Sequence, residues 1–113
     1  MNTTGTTEAN MIKITNDNFK DTIEGNSVVL VAFKAPWCGP CRTMGPILEE
    51  VAKETEGKAI IAEVNVDNDS ELTKEHSVRN IPATFIYKDG EVMEQFISVK
   101  QKNEIVEIIN KYL

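Results

Sequence analysis

Along this chain the spacing of hydrophobic and polar positions changes period several times, and each change marks an element. Val28–Phe33 (VVLVAF) is an unbroken apolar run rich in β-branched residues, the pattern of a strand buried on both faces. Before it, MIKI (Met11–Ile14) predicts a short strand. Thr15 or Asn16 can cap the helix that follows, where Phe19 and Ile23 lie one turn apart and Gly25 ends the pattern. Beyond the apolar run, Met44, Ile47, Leu48, Val51 and Ala52 recur at helical spacing, predicting a helix from Cys38 to Glu56 with Gly57 as its stop. Pro46 falls inside that helix, where it removes one backbone hydrogen bond, so a kink is expected. Ala59–Val66 predicts a third strand, and Ser70–His76 a short helix opened by an Asn/Asp/Ser cluster. Ala83–Tyr87 and Glu91–Ile97 flank Asp89-Gly90, a strong hairpin signal. Lys100–Tyr112 predicts a closing amphipathic helix through Ile105, Val106, Ile108 and Ile109.

The resulting order, β-α-β-α-β-α-β-β-α, predicts an α/β fold with a central mixed sheet of five strands flanked by four helices. Strands separated by helices are expected to run parallel through right-handed crossovers, and the last two to form an antiparallel hairpin. No repeat or second domain interrupts the pattern, so residues 11–113 are expected to be one domain. Residues 1–10, MNTTGTTEAN, are polar and show no apolar period; they are expected to be a disordered tail.

Composition changes this picture little, but it narrows function. A chain of 113 residues, 41% of them hydrophobic, can bury a core without covalent staples, so its two cysteines are not needed for folding. The net charge of −6, with no cluster of Lys and Arg, argues against nucleic acid and against an anionic membrane surface. No apolar stretch approaches the ~20 residues of a membrane span. The first residues lack the basic end and apolar run of a secretory signal, so a cytoplasmic protein is expected, or an exported one whose leader has been removed. A monomer is expected.

Both cysteines fall in KAPWCGPCRTM (Lys34–Met44). A disulfide between Cys38 and Cys41 closes a very short loop and removes little entropy from the unfolded chain, so a structural role is weak. A zinc or iron–sulfur site needs about four ligands, whereas the chain offers two Cys and one His. His76 sits at the end of a short helix and is expected to be solvated. Haem attachment would need His after Cys41, where Arg42 stands. No metal site is expected. Redox exchange fits best, because only a thiolate attacks a disulfide and a helix N-terminus stabilises that anion. Cys38 is placed to use it as the nucleophile, and Cys41, one turn inward, to resolve the mixed disulfide. Pro40 tunes the pair by fixing φ early in the helix, and Gly39 leaves the sulfur uncrowded.

WCGPC (Trp37–Cys41), preceded by a buried strand and followed by a helix containing Pro46, resembles the thioredoxin family. The likeness continues through NVD (Asn65–Asp67), IPA (Ile81–Ala83) and YKDGE (Tyr87–Glu91), and covers Met11 to the C-terminus. It implies the thioredoxin fold, reduction of protein disulfides, and recycling by a thioredoxin reductase. NADPH and flavin would belong to that partner; this chain would bind no cofactor beyond its own Cys38–Cys41 disulfide. The resemblance also implies a cis bond before Pro82, which would present the backbone near Ile81 to an extended substrate. Trp37 would serve as an amphipathic contact for protein substrates; as a structural residue it would pack, half-buried, on the helix start, and both can hold together. A different class, a binding module that uses the same fold as a scaffold, is the competing expectation.

The chain departs from the family pattern in places. Ser98 stands where a glycine usually borders the substrate groove. Lys34 stands where an aromatic residue is common, and is expected to be a solvated strand-end lysine. The family usually buries an aspartate where this chain has Ala32, and places a lysine where it has Glu63. The expectation is that Glu63, facing Ala32 and lacking a cationic partner, replaces the aspartate as general base for Cys41.

Overall fold

A computed structural model describes residues 11–113; the expected N-terminal tail lies outside the described residues. Five strands and four helices follow in the anticipated order: β1 (Met11–Lys13), α1 (Phe19–Gly25), β2 (Val28–Lys34), α2 (Gly39–Glu54), β3 (Ile60–Asn65), α3 (Ser70–Glu75), β4 (Ala83–Lys88), β5 (Glu91–Ile97) and α4 (Lys102–Asn110). The strands lie side by side as β1-β3-β2-β4-β5. This puts the apolar run of β2 at the centre, paired on both edges, which is why every residue from Val28 to Phe33 is buried.

The alternating side chains of β2 feed two cores. Val28, Leu30 and Ala32 face α2 and α4, against Met44, Leu48, Val51, Ile105 and Ile109. Val29, Val31 and Phe33 face α1 and α3, against Ile23 and Leu72. Each face of the sheet is thus covered by a pair of helices.

One expectation about the sheet fails. β1, β3 and β2 run parallel, but β4, although a helix precedes it, pairs antiparallel with β2, with Phe33 opposite Ala83. A parallel crossover must carry the chain back along a whole strand, roughly 20 Å at ~3.3 Å per residue. The six residues of α3 advance only about 9 Å. The chain therefore re-enters the sheet at the end where β2 finishes. That places Ile81 and Pro82 beside the start of α2.

Two local expectations also change. Neither Thr15 nor Asn16 caps α1, whose N-cap is Asn18. Asn16 instead ties the chain to α3: its Oδ1 accepts the Leu72 N–H at 3.3 Å, and its own N–H donates to Asp69 Oδ1 at 3.2 Å. His76 is not a solvated helix end. Its ring packs among Phe19, Phe33, Phe85 and Tyr87 at centroid distances of 4.8 to 6.1 Å. The Leu72 carbonyl, 2.9 Å from Nδ1, can only accept, so Nδ1 carries the proton and Nε2 accepts from the Tyr87 hydroxyl at 2.5 Å. Burial, with the Glu75 carboxylate adding to it, pushes the Tyr87 phenol up to about 12.

Candidate active site

β2 ends at Lys34, and the chain turns through Ala35–Trp37 before α2 begins at Gly39. Cys38 is the N-cap of α2 in an extended conformation, and its Sγ accepts the Cys41 N–H at 3.2 Å. One of the orphan donors of the first turn is thereby aimed at the sulfur. Pro40, second in the helix, has no N–H to leave unpaired, and the helix runs unbroken past Pro46. Cys38 and Cys41 form a disulfide with Cα atoms 5.2 Å apart. Both are almost fully buried, with Ala35, and pack against Val66 and Ile81.

The antiparallel entry of β4 delivers the residues on the other side of the disulfide. Ile81–Pro82 is a cis peptide. The Ile81 carbonyl oxygen lies 3.8 Å from Cys38 Sγ, so Cys38 is the sulfur facing this loop. Ser98 follows β5 and donates its N–H to the Pro82 carbonyl at 3.1 Å. Its φ of +99° lies where a side chain is disfavoured and glycine is at ease. Trp37 is more exposed than the half-buried expectation, at 66%, and its Nε1–H donates to Asp67 Oδ2 at 2.9 Å. Nothing in the spacing of NVD foretold that Asp67 would hold the indole. Ile81, Pro82 and Ser98 therefore gather on the Cys38 side of the disulfide, while Trp37, Gly39 and Pro40 adjoin the cysteines along the chain.

Glu63 lies elsewhere, on the Cys41 side. As expected, it stands opposite Ala32 in the parallel β3–β2 register. The expectation that it has no cationic partner is wrong. Lys34, two residues beyond Ala32 on the same face of β2, reaches back so that its Nζ is 3.1 Å from Glu63 Oε1. Two-residue periodicity puts Ala32 and Lys34 on one face, so the missing lysine of β3 is supplied diagonally from the next strand. The Glu63 side chain is 14% exposed, at the wall of a cleft of about 650 Å³ that Cys41 also lines. On the far side of Ala32, Thr84 continues the row across β4. Its hydroxyl is buried and has no hydrogen-bond partner among the described residues.

Chemically, the arrangement offers a two-electron dithiol–disulfide couple, with Cys38 against the Ile81 loop and Cys41 lining the cleft that Glu63 walls. Among the described residues no group of three or more His, Cys, Asp or Glu is placed to hold a metal ion. No helix among them is long and apolar enough to cross a membrane.

The family model described as thioredoxin matches residues 10–111. The thioredoxin of Bacillus subtilis is 40% identical over 104 residues, covering 91% of this chain and 98% of its own. That of Chlorobaculum thiosulfatiphilum is 39% identical over 100 residues, with 88% and 93% covered. Among solved structures, a point-mutant thioredoxin from Halobacterium salinarum superposes with a TM-score of 0.85 at 26% identity, covering 96% of both chains.

Proposed function

The chain belongs to the thioredoxin family, and on that premise we propose how its own residues divide the work of a protein-disulfide reductase. The observation that carries the assignment is the Cys38–Cys41 disulfide at the first turn of α2, with the backbone of Ile81 against Cys38. In the reduced protein the Cys38 thiolate, stabilised by the helix N-terminus, attacks one sulfur of a substrate disulfide. The substrate S–S bond breaks and one substrate thiolate leaves. Cys41 gives up its proton and attacks Cys38 Sγ; the mixed disulfide breaks and the second substrate thiolate leaves. Two electrons have passed to the substrate, and the Cys38–Cys41 disulfide has formed.

Trp37, Ile81, Pro82 and Ser98 form the substrate surface. The exposed indole supplies apolar area, and the Ile81 backbone can pair with an extended segment carrying the disulfide. Glu63 takes the proton of Cys41, directly or through one water. What supports this is that both residues line one cleft and that Lys34 holds the carboxylate at its wall. A thioredoxin reductase returns the two electrons, with NADPH and flavin on that partner. Cytoplasm suits the reaction, since its thiol pool keeps the pair reduced.

Two measurements test the scheme. The wild-type protein should accelerate the dithiothreitol-driven reduction of insulin, followed as turbidity; no acceleration would remove the reductase activity altogether. Cys41→Ser should accumulate mixed disulfides with protein substrates, and Cys38→Ser should not. Faster alkylation of Cys41 in Cys38→Ser than of Cys38 in Cys41→Ser would reverse the roles.

A further inference from the structure

His76 takes no part in the thiol chemistry, yet four aromatic rings close around it. It stands where α3 gives way to the loop that leads to Ile81. α3 has six residues, too few to hold a helix by themselves, so the body of the protein has to fix both its ends. Asn16 fixes the first turn through Leu72 and Asp69. At the other end the Ser77 N–H donates to the Lys74 carbonyl at 2.9 Å and the Val78 N–H to the Thr73 carbonyl at 3.1 Å, the two bonds of a Schellman motif. That motif holds Ser77 at φ +55°, where a residue with a Cβ is less at ease than glycine. The turn therefore leans on contacts from outside the helix, and His76, the C-cap of α3, makes them. Its Nδ1–H donates to the Leu72 carbonyl within α3, and its Nε2 accepts from the Tyr87 hydroxyl on β4. The second bond ties the helix to the sheet. Beyond it, Val78 and Ile81 pack partly buried on the core, but the amides of Arg79, Asn80 and Ile81 make no hydrogen bond among the described residues. At the far end the Ser98 N–H holds the Pro82 carbonyl, and the Ile81 carbonyl lies against Cys38 Sγ. A segment without hydrogen bonds of its own takes its position from its ends.

We propose that His76 is a positioning residue for substrate binding. Through its hydrogen bond to Tyr87 it fixes the end of α3, and with it the path of residues 77–81 that sets the Ile81 backbone beside Cys38. This rests on the reading of Ile81 and Pro82 as part of the substrate surface. An extended substrate segment meets the backbone groups of Ile81, and such N–H···O bonds weaken outside a distance window of about 0.5 Å. A loop released at its α3 end has to be ordered again at each encounter, and affinity falls by that cost. A small disulfide needs only the Cys38 sulfur, which the N-terminus of α2 holds independently of the loop. His76 therefore acts on extended protein substrates and leaves the reactivity of the thiolate alone.

The test mixes the reduced full-length protein with insulin or with 2-hydroxyethyl disulfide and reads both rates by acid quench and thiol counting. Tyr87→Phe removes only the hydroxyl that Nε2 accepts from; His76→Leu fills the place of the ring and removes both hydrogen bonds. In each variant the ratio of the insulin rate to the small-disulfide rate should fall about three- to tenfold, the weight of one neutral hydrogen bond. An unchanged ratio in Tyr87→Phe overturns the proposal, and it decides the matter even where His76→Leu fails to fold. Ile109→Val separates positioning from stability, since it trims a fully buried side chain of α4 at a comparable cost. Its ratio should equal the wild-type value; a fall as large as that of Tyr87→Phe overturns the proposal. Alkylation of Cys38 by iodoacetamide should keep its wild-type rate in every variant, and a loss parallel to that of insulin reduction also overturns it. Insulin reduction by the wild-type protein is scored first. Its absence strikes the reductase assignment, whereas wild-type reduction with an unchanged ratio in the variants strikes this inference alone.

Discussion

Thr84→Val is expected to stabilise the protein by about 1–2 kcal/mol, an unusual direction for a substitution at a fully buried position. Thr84 is 0% exposed, the second residue of β4, between Ala32 of β2 and Phe96 of β5. Its Oγ1 finds no partner among the described residues. A hydroxyl taken from water without a compensating hydrogen bond costs about 1–3 kcal/mol on the scale of protein mutational data. Valine has nearly the same shape, keeps the β-branch that a strand favours, and removes that cost. We take the lower part of the range because packing around the new methyl group will not be ideal. The assay is urea unfolding of the oxidised wild-type and variant proteins, followed by circular dichroism. The slope should be unchanged and the midpoint higher by about 0.5–1 M, given slopes near 2 kcal/mol/M. In thermal unfolding the gain should appear as a Tm higher by roughly 4–8 °C per kcal/mol. A loss of stability of about 0.5 kcal/mol or more, at constant slope, would refute the reasoning, because it would mean the hydroxyl is hydrogen-bonded in the folded protein.

Ser98→Gly should stabilise the fold by about 1 kcal/mol, since φ of +99° is costly for a residue with a Cβ; a lower Tm in the variant would contradict this. Glu63→Gln should slow resolution of a mixed disulfide at pH 7 about tenfold, while attack by Cys38 is nearly unchanged. The low end of the usual 10²–10⁴ applies because the open cleft admits water that can also take the proton. Resolution kinetics identical to wild type across pH 6 to 9 would remove Glu63 from the mechanism. The two tyrosines should both ionise above their ordinary value of 10: Tyr87 at about 12, chiefly through burial, and Tyr112 upward through its hydrogen bond to Glu94. Burial raises the folded-state pKa of Tyr87 above its unfolded value. Its contribution to stability is therefore complete below pH 10 and is lost as pH climbs from 10 toward 12. Absorbance at 295 nm should follow both events, and a tyrosine titrating at 10 with the fold intact would disagree.

What the sequence determined by itself was whatever neighbours within a few residues can fix. β5 is found at its expected bounds, Glu91–Ile97, because Asp89 and Gly90, both at positive φ, close a tight turn whose position sets the strands on either side. The placement of Cys38 ahead of a helix, with Pro40 inside its first turn, was likewise legible, since capping and proline geometry act over one turn. So was the central place of β2, because an apolar run of that kind can only sit between covered faces. The parallel register that sets Ala32 against Glu63 followed from the resemblance rather than from the residues. Only the tertiary structure decided the rest. Asn16 caps a helix more than fifty residues away, and His76 turns inward onto aromatics from α1, β2 and β4. The antiparallel entry of β4 brings Ile81 to Cys38, and Lys34 meets Glu63 across a strand boundary. These contacts depend on strand direction, register and side-chain reach, and a hydrogen bond or ion pair between distant residues leaves no periodic mark on the chain. The two sides of the disulfide, one facing Ile81 and the other the cleft that Lys34 and Glu63 wall, exist only because the sheet sets them there.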